Sequence, residues 1–276
     1  MKRFATTALL LLGLASNGKD ASAEAPPGQI AISPSIVEMA VDSKPVNGSI
    51  RMQNLQNEPV RVKVEVYNWT LDEQNNVKLI PSYPQSLDHW LLISPVSFTL
   101  EPGSSQVIRY SVRPNVKPEA GEHRAIVYLT QQAMDDGSQK SGVQVLFRYG
   151  MAMYGYSGAV LESAEIEGLT VDKGAMALRA VVRNTGNVHT RLTGDFTVWK
   201  AGTFPGFKAM KEMIAKGNGT ARPEGFVASG TLHSSPVLPG HRRAITEKLG
   251  VTGATPGCVV AVTGKIGGRQ IEKVFQ

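Results

Sequence analysis

A single cysteine, Cys258, stands in 276 residues, so no internal disulfide can form and the fold must rest on packed cores. Long apolar runs are missing too: beyond the N-terminus, no segment approaches the roughly 20 residues that a membrane-spanning helix requires. The 29 Lys and Arg and 23 Asp and Glu are interleaved. They form no basic run or aromatic-lined basic stripe of the kind a nucleic-acid groove needs. The histidines His89, His123, His189, His233 and His241 show no metal-ligand spacing, and one cysteine leaves no zinc cluster. Neither a Gly-x-Ser-x-Gly elbow nor a phosphate-cradling glycine loop occurs. His123 and His189 are therefore read as structural, and Asp88-His89 as a polar loop beside Trp90. Cys258, which follows Pro256-Gly257 into a valine-rich strand, is read as a buried, inert thiol. These absences point away from an enzyme and imply no metal or cofactor.

What is present begins with Lys2-Arg3, the apolar run from Phe4 to Ala15, and a polar stretch ending Ala21-Ser22-Ala23. That is the order of a secretory signal peptide, residues 1–23, with cleavage expected after Ala23. Its removal takes three basic residues and one acidic residue, and lowers the formal net charge from +6 to +4. The apolar core is too short to span a bilayer as a stable helix, so an exported protein without membrane insertion is expected.

After the Pro/Gly-rich lead-in at Ala25 to Gly28, short β-type segments alternate with turn residues. Val60, Val62, Val64 and Val66 alternate with Arg61, Lys63 and Glu65 in a period-2 strand. Further strands are predicted at Ile30–Ile32, Ile36–Val41, Ser49–Met52, Val77–Ile80, Phe98–Leu100, Gln106–Val112, Ala125–Thr130 and Val143–Tyr149. A second series is predicted at Leu161–Ile166, Met176–Arg183, Leu192–Trp199, Val227–Leu232, Ala244–Leu249, Val259–Thr263 and Gln270–Phe275. Asn184-Thr185-Gly186-Asn187 is a turn signal within it. The two series rhyme at Leu100-Glu101-Pro102-Gly103 and Leu238-Pro239-Gly240. Many short strands without long helical patterns imply an all-β chain of two tandem antiparallel sandwiches, residues 24–157 and 158–276. One segment departs from the rhythm: Phe207, Met210, Met213 and Ile214 sit at helical spacing, as in a surface insertion over 204–226 folded back onto its own domain.

The stretch Val143-Gln144-Val145-Leu146-Phe147-Arg148-Tyr149 carries the functional signal. Its side chains at Val143, Val145, Phe147 and Tyr149 share one strand face and follow a polar, Gly-bearing loop. On pattern alone it is either a half-buried strand or an edge that another polypeptide borrows.

Several ordered elements resemble the periplasmic pilus-assembly chaperones of the chaperone-usher pathway, in a divergent branch of that family. They are Ile32-Ser33-Pro34-Ser35-Ile36-Val37-Glu38, Ser94-Pro95, Phe98-Thr99-Leu100-Glu101-Pro102-Gly103 with Gln106-Val107-Ile108-Arg109, and Gly121-Glu122-His123-Arg124-Ala125-Ile126. In the second half the resemblance is carried by Val182-Arg183-Asn184-Thr185-Gly186-Asn187-Val188-His189 and Pro236-Val237-Leu238-Pro239-Gly240. The resemblance implies two immunoglobulin-like domains set in an L. It also implies a periplasmic location, pilus or fimbrial subunits and an outer-membrane usher as partners, and a donor strand at Val143, Val145, Phe147 and Tyr149. Free, such an edge has the further option of self-association. The family's usual basic pair for the subunit's C-terminal carboxylate aligns with Ile36 and Ala152, so that anchor is expected to be absent. Arg148, of the same strand parity as Ala152, is the candidate substitute anchor, and is read first as an ordinary outward-facing arginine. The rival reading is a surface structural or adhesive protein with two immunoglobulin-like domains.

Overall fold

The computed structural model describes residues 30–72, 75–133, 146–217, 222–233, 235–251 and 257–276. The expected signal peptide, the lead-in as far as residue 29, and Val143 and Val145 lie outside the described residues.

Two pairs of sheets follow one another along the chain. In the first, β1 (Ile30–Ser33), β3 (Val46–Asn54), β8 (Ser105–Val112) and β6 (Leu91–Ser94) lie side by side in that order. Facing them, β2 (Val37–Ala40), β10 (Arg148–Ser157), β9 (Gly121–Gln132), β4 (Val60–Leu71) and β5 (Val77–Ile80) form the second sheet, with β7 (Ser97–Leu100) also on β4. The alternation in β4 does what its sequence requires: Val60, Val62 and Val64 are buried while Arg61 and Lys63 are exposed. Ile50, Met52, Ile108 and Val112 meet Val62, Val127, Leu129, Met151 and Met153 in a fully buried core. Burying such side chains is the dominant favourable term in a chain without disulfides.

The second sandwich sets β11 (Ala164–Asp172), β12 (Ala177–Asn184) and β15 (Arg242–Lys248) against β14 (Phe226–His233), β13 (Thr193–Trp199), β16 (Val259–Ile266) and β17 (Arg269–Phe275). Cys258 lies in its core with Leu178, Val182, Phe196 and Val262. The segment at helical spacing is α2 (Phe207–Ala215), which buries Met210 and Met213; Met213 packs with Trp199 and Val259 on its own sandwich. Lys211 pins it to Glu272 of β17 at 2.5 Å.

The rhyme between the halves extends to a shared buried device. Asn54, at the end of β3, donates its side-chain amide to the carbonyls of Glu58 and Leu100 and accepts from the Gln56 N–H. Asn184, at the end of β12, donates to the carbonyls of Val188 and Val237 and accepts from the Gly186 N–H. In both halves the acceptor strand then turns at a glycine, Gly103 or Gly240, with φ of +71°. That left-handed conformation favours glycine. The hydrogen bonds leave no buried polar atom of either amide unpaired, and Asn54 ties β3 of one sheet to β7 of the other.

The predicted strand boundaries fail most at β10. A strand at Val143–Tyr149 was expected; the described strand runs from Arg148 to Ser157, overlapping by the pair Arg148 and Tyr149, while Leu146 and Phe147 precede it without strand geometry. Met153, Tyr154 and Gly155 are all buried, so the alternation that marks a half-buried strand is missing there. The short β6 and the single turn α1 (Leu87–Trp90) also carry too few periods to be read from sequence.

Candidate functional site: an open flank on the first sandwich

The first sheet ends at β1, and the second ends at β2, which covers β10 only from Met153 onward, so the start of β10 and β1 border the same flank. Between them lies a cavity of about 520 Å³ lined by Ile30, Ile32, Phe147, Arg148 and Tyr149. Phe147 and Tyr149 are half-buried and pack against the core from the rim, as do Ile30 and Ile32.

β10 is paired with β9 along its whole length, but with β2, in parallel, only from Met153 to Tyr156. Main-chain parity decides what remains. The Gln131 N–H donates to the Phe147 carbonyl at 3.0 Å, and the Val41 N–H donates to the Tyr156 carbonyl at 2.8 Å. Odd-numbered residues of β10 therefore direct their main-chain groups to β9, and even-numbered ones to the opposite side. Arg148 and Gly150 thus aim N–H and C=O groups at a flank where, among the described residues, no strand pairs with them. Such a row is a template for strand addition.

The outer face of the same sheet bears aromatic side chains. The Arg148 guanidinium lies 3.9 Å from the centroid of the Tyr128 ring, which is 6.2 Å from Tyr67. Gly150 lies beneath that ring, since a Cβ there would come within 2.8 Å of it. Ile36 and Ala152 immediately precede Val37 and Met153, the first partners of the parallel ladder. The aligned anchor positions are thus spatial neighbours, and neither carries a charge.

No model of a known protein family matches the chain, and no curated protein matches it. Solved structures do. The chain is similar to chaperones of fimbrial assembly. The class 5 fimbriae chaperone CfaA shares 13% identity, covering 89% of this chain and 98% of that one, with a TM-score of 0.47. A complex of the chaperone CsuC with the tip adhesion subunit CsuE, from archaic chaperone-usher pili of Acinetobacter baumannii, gives 13%, 90%, 98% and 0.47 in the same terms. The SafB chaperone, solved with the SafA pilin of Salmonella enterica, gives 13%, 89%, 96% and 0.44.

Of the residues picked out from the sequence, Phe147, Arg148 and Tyr149 come together at the cavity rim. Arg148 projects from the outer face onto Tyr128, four residues along the strand from Ala152. The cavity's other wall, Ile30 and Ile32, was read only as a strand, because nothing local tells which neighbour a short apolar strand will face.

Sequence reading also missed the contact that joins the two sandwiches. The Glu122 side chain, with 0% exposure, accepts from Arg124 Nη1 at 2.9 Å, from the His189 N–H at 2.8 Å and from His189 Nδ1 at 2.5 Å. Burial pushes its carboxyl up, but the His189 hydrogen bond and the charges of His189 and Arg124 outweigh this and hold it below the ordinary value. The His189 ring rests 4.4 Å from that of Tyr154, whose phenol is pushed up to about 12 chiefly by burial. Arg243 adds a bond from Nη2 to the Leu71 carbonyl at 2.6 Å. Asn187 grips the linker, accepting from the Leu161 N–H at 2.7 Å and donating to the Ala159 carbonyl at 2.8 Å. Gly186 allows this approach, because a Cβ there would lie 2.1 Å from the Leu161 carbonyl oxygen. Glu122 and His189 are 67 residues apart, a distance no local pattern spans.

Proposed function

We propose that this protein is a non-enzymatic periplasmic chaperone that captures pilus or fimbrial subunits on the open flank of its first sandwich and passes them to an outer-membrane usher. The observation that carries the reading is the main chain of Arg148 and Gly150, which no strand among the described residues pairs, beside an apolar cavity of about 520 Å³. A subunit lacking a strand exposes a hydrophobic groove and unpaired backbone. An edge strand lent to it covers both, through main-chain hydrogen bonds and alternate side chains in pockets. Val143, Val145, Phe147 and Tyr149 are the proposed donor face. The ordered sequence elements from Ile32 to Gly240 support the same reading. Exchange with the next subunit's own extension drives release, so no nucleotide or cofactor is called for.

The test separates the main chain from the side chain at one position. Arg148→Pro removes an N–H that faces the open flank, at the first residue of the described strand, where proline is tolerated. Arg148→Ala removes only the side chain. Capture is read as co-purification of a small subunit from periplasm. Arg148→Pro should abolish it, while Arg148→Ala should reduce affinity less than about tenfold, or roughly 1.4 kcal/mol. Undiminished capture by Arg148→Pro would refute strand lending. A greater loss in Arg148→Ala would make Arg148 the substitute anchor.

A further inference from the structure

In the first sandwich, the sheet of β1, β3, β8 and β6 has an outer face that is cationic and free of acids. None of its four strands contains an aspartate or glutamate, whereas β2, β4 and β9 of the opposite sheet carry Glu38, Glu65 and Glu122. Alternation turns Ile50, Met52 and Ile108 into the core and Arg51 and Arg109 outward, where both are exposed. We infer that this face docks an extended segment of a partner polypeptide that bears acidic side chains at alternate positions.

Strand register fixes the geometry. Arg109 stands opposite Ser49 on β3 and Ser94 on β6, and Arg51 stands opposite Ser33 on β1. The two arginines are thus diagonal neighbours on adjacent strands, about 7–8 Å apart. Neither forms an ion pair among the described residues. Arg113, just beyond β8, adds a third cation, its Nε donating to Ser111 Oγ at 3.0 Å. The serines around these arginines are too short to shield a guanidinium, and they offer hydroxyls of their own.

Charge and spacing choose the guest. In an extended chain the side chains of one face recur every second residue, about 7 Å apart, so acids at alternate positions meet Arg51 and Arg109 in turn. Each planar guanidinium fork can donate two parallel hydrogen bonds to a carboxylate. The face presents no aromatic ring on which the bases of a single-stranded nucleic acid would stack, since Tyr110 of β8 packs inward. Its three arginines fall short of the roughly four to eight basic residues that hold a protein to anionic lipid headgroups. β10 lies in the opposite sheet, and that sheet also makes the joint to the second sandwich. The cationic face therefore stays open while the flank is occupied.

The experiment titrates the mature protein, at low salt, into a fluorescent peptide of alternating aspartate and serine. A second peptide carries the same number of aspartates at every third residue, which sets successive acids on opposite faces. The alternating peptide should bind about threefold more tightly, the scale of one exposed ion pair. Arg51→Gln combined with Arg109→Gln should weaken it about tenfold, the scale of two. Lys248→Gln combined with Arg269→Gln removes the same charge from exposed positions on the second sandwich and should change the affinity less than about twofold. Each variant is checked for an unchanged melting temperature. Equal losses in the two double variants would reduce the binding to net charge and overturn the docking face, as would equal binding of the two peptides or failure of the alternating peptide to bind. Sedimentation with phosphatidylglycerol vesicles that depends on Arg51 and Arg109, without peptide binding, would assign the face to a membrane and overturn the polypeptide guest. Strand capture is tested separately by Arg148→Pro and stands or falls independently.

Discussion

The two sandwiches share one internal clasp and differ in how they finish their edges. Asn54 and Asn184 make equivalent hydrogen bonds to a carbonyl four residues on and to the strand before a left-handed glycine turn. The second sandwich guards one edge and covers one face. Its edge strand β17 carries exposed Arg269, Glu272 and Lys273, and α2 lays Met213 over Trp199 and Val259. In the first sandwich no strand among the described residues pairs with Arg148 and Gly150 beside an apolar cavity. Charged edges and covered faces are the ordinary defences against unwanted strand pairing. Among the described residues β17 carries such a defence, whereas the flank beside Gly150 is left uncovered, and that contrast is what the capture proposal rests on.

The sharpest way to break that contrast is to give the open flank the same defence. Val145→Asp places a charge on the proposed donor face, where a desolvated pocket would penalise it by several kcal/mol. Subunit recovery should fall more than about a hundredfold while the melting temperature barely moves. If the fold collapsed instead, Val145 would belong to the core. Next in size is the joint between the halves. Glu122→Ala leaves His189 and Arg124 without their buried partner and should destabilise by about 3 kcal/mol, with calorimetry of the variant showing two transitions further apart than in the wild type. The Glu122 carboxyl is held below its ordinary 4.5. The stability it confers is therefore fully present above that pH and is lost as pH falls through the lower folded value. Acid titration should lower the wild-type melting temperature more steeply than that of Glu122→Gln.

Smaller effects probe the closed half. Met213→Ala opens a void under α2 and should cost about 2–3 kcal/mol, leaving subunit recovery unchanged. Loss of recovery would mean that the insertion takes part in binding. Cys258→Ala removes a buried thiol and should cost about 1–2 kcal/mol. Thiol labelling of the folded protein should be slow, and fast labelling would place Cys258 at the surface.

What could be read from the sequence tracks how each element is buried. β4 shows one face to the core and one outward, so its valines spelled out a strand, and α2 likewise spelled out a helix with one apolar face. β10 could not be read in this way. Met153 faces its own core, and Tyr154 joins a cluster with Leu238 of the other sandwich, so both faces are covered and the pattern disappears. The joint brings Glu122 to His189, 67 residues on, and no local spacing relates them. The paired asparagines lie between these cases. Asn54 and Asn184 each have a second asparagine three residues on, a repeat visible once the glycine turns are aligned.

The short parallel ladder between β2 and β10 has a consequence of another kind. It starts at Met153 and Val37 and occupies the flank from there on. Under the capture proposal, a strand added to β10 would slide only until it met this ladder, as a bolt slides to its stop. The protein would thereby carry its own ruler, with the register of a captured strand set by where β2 begins.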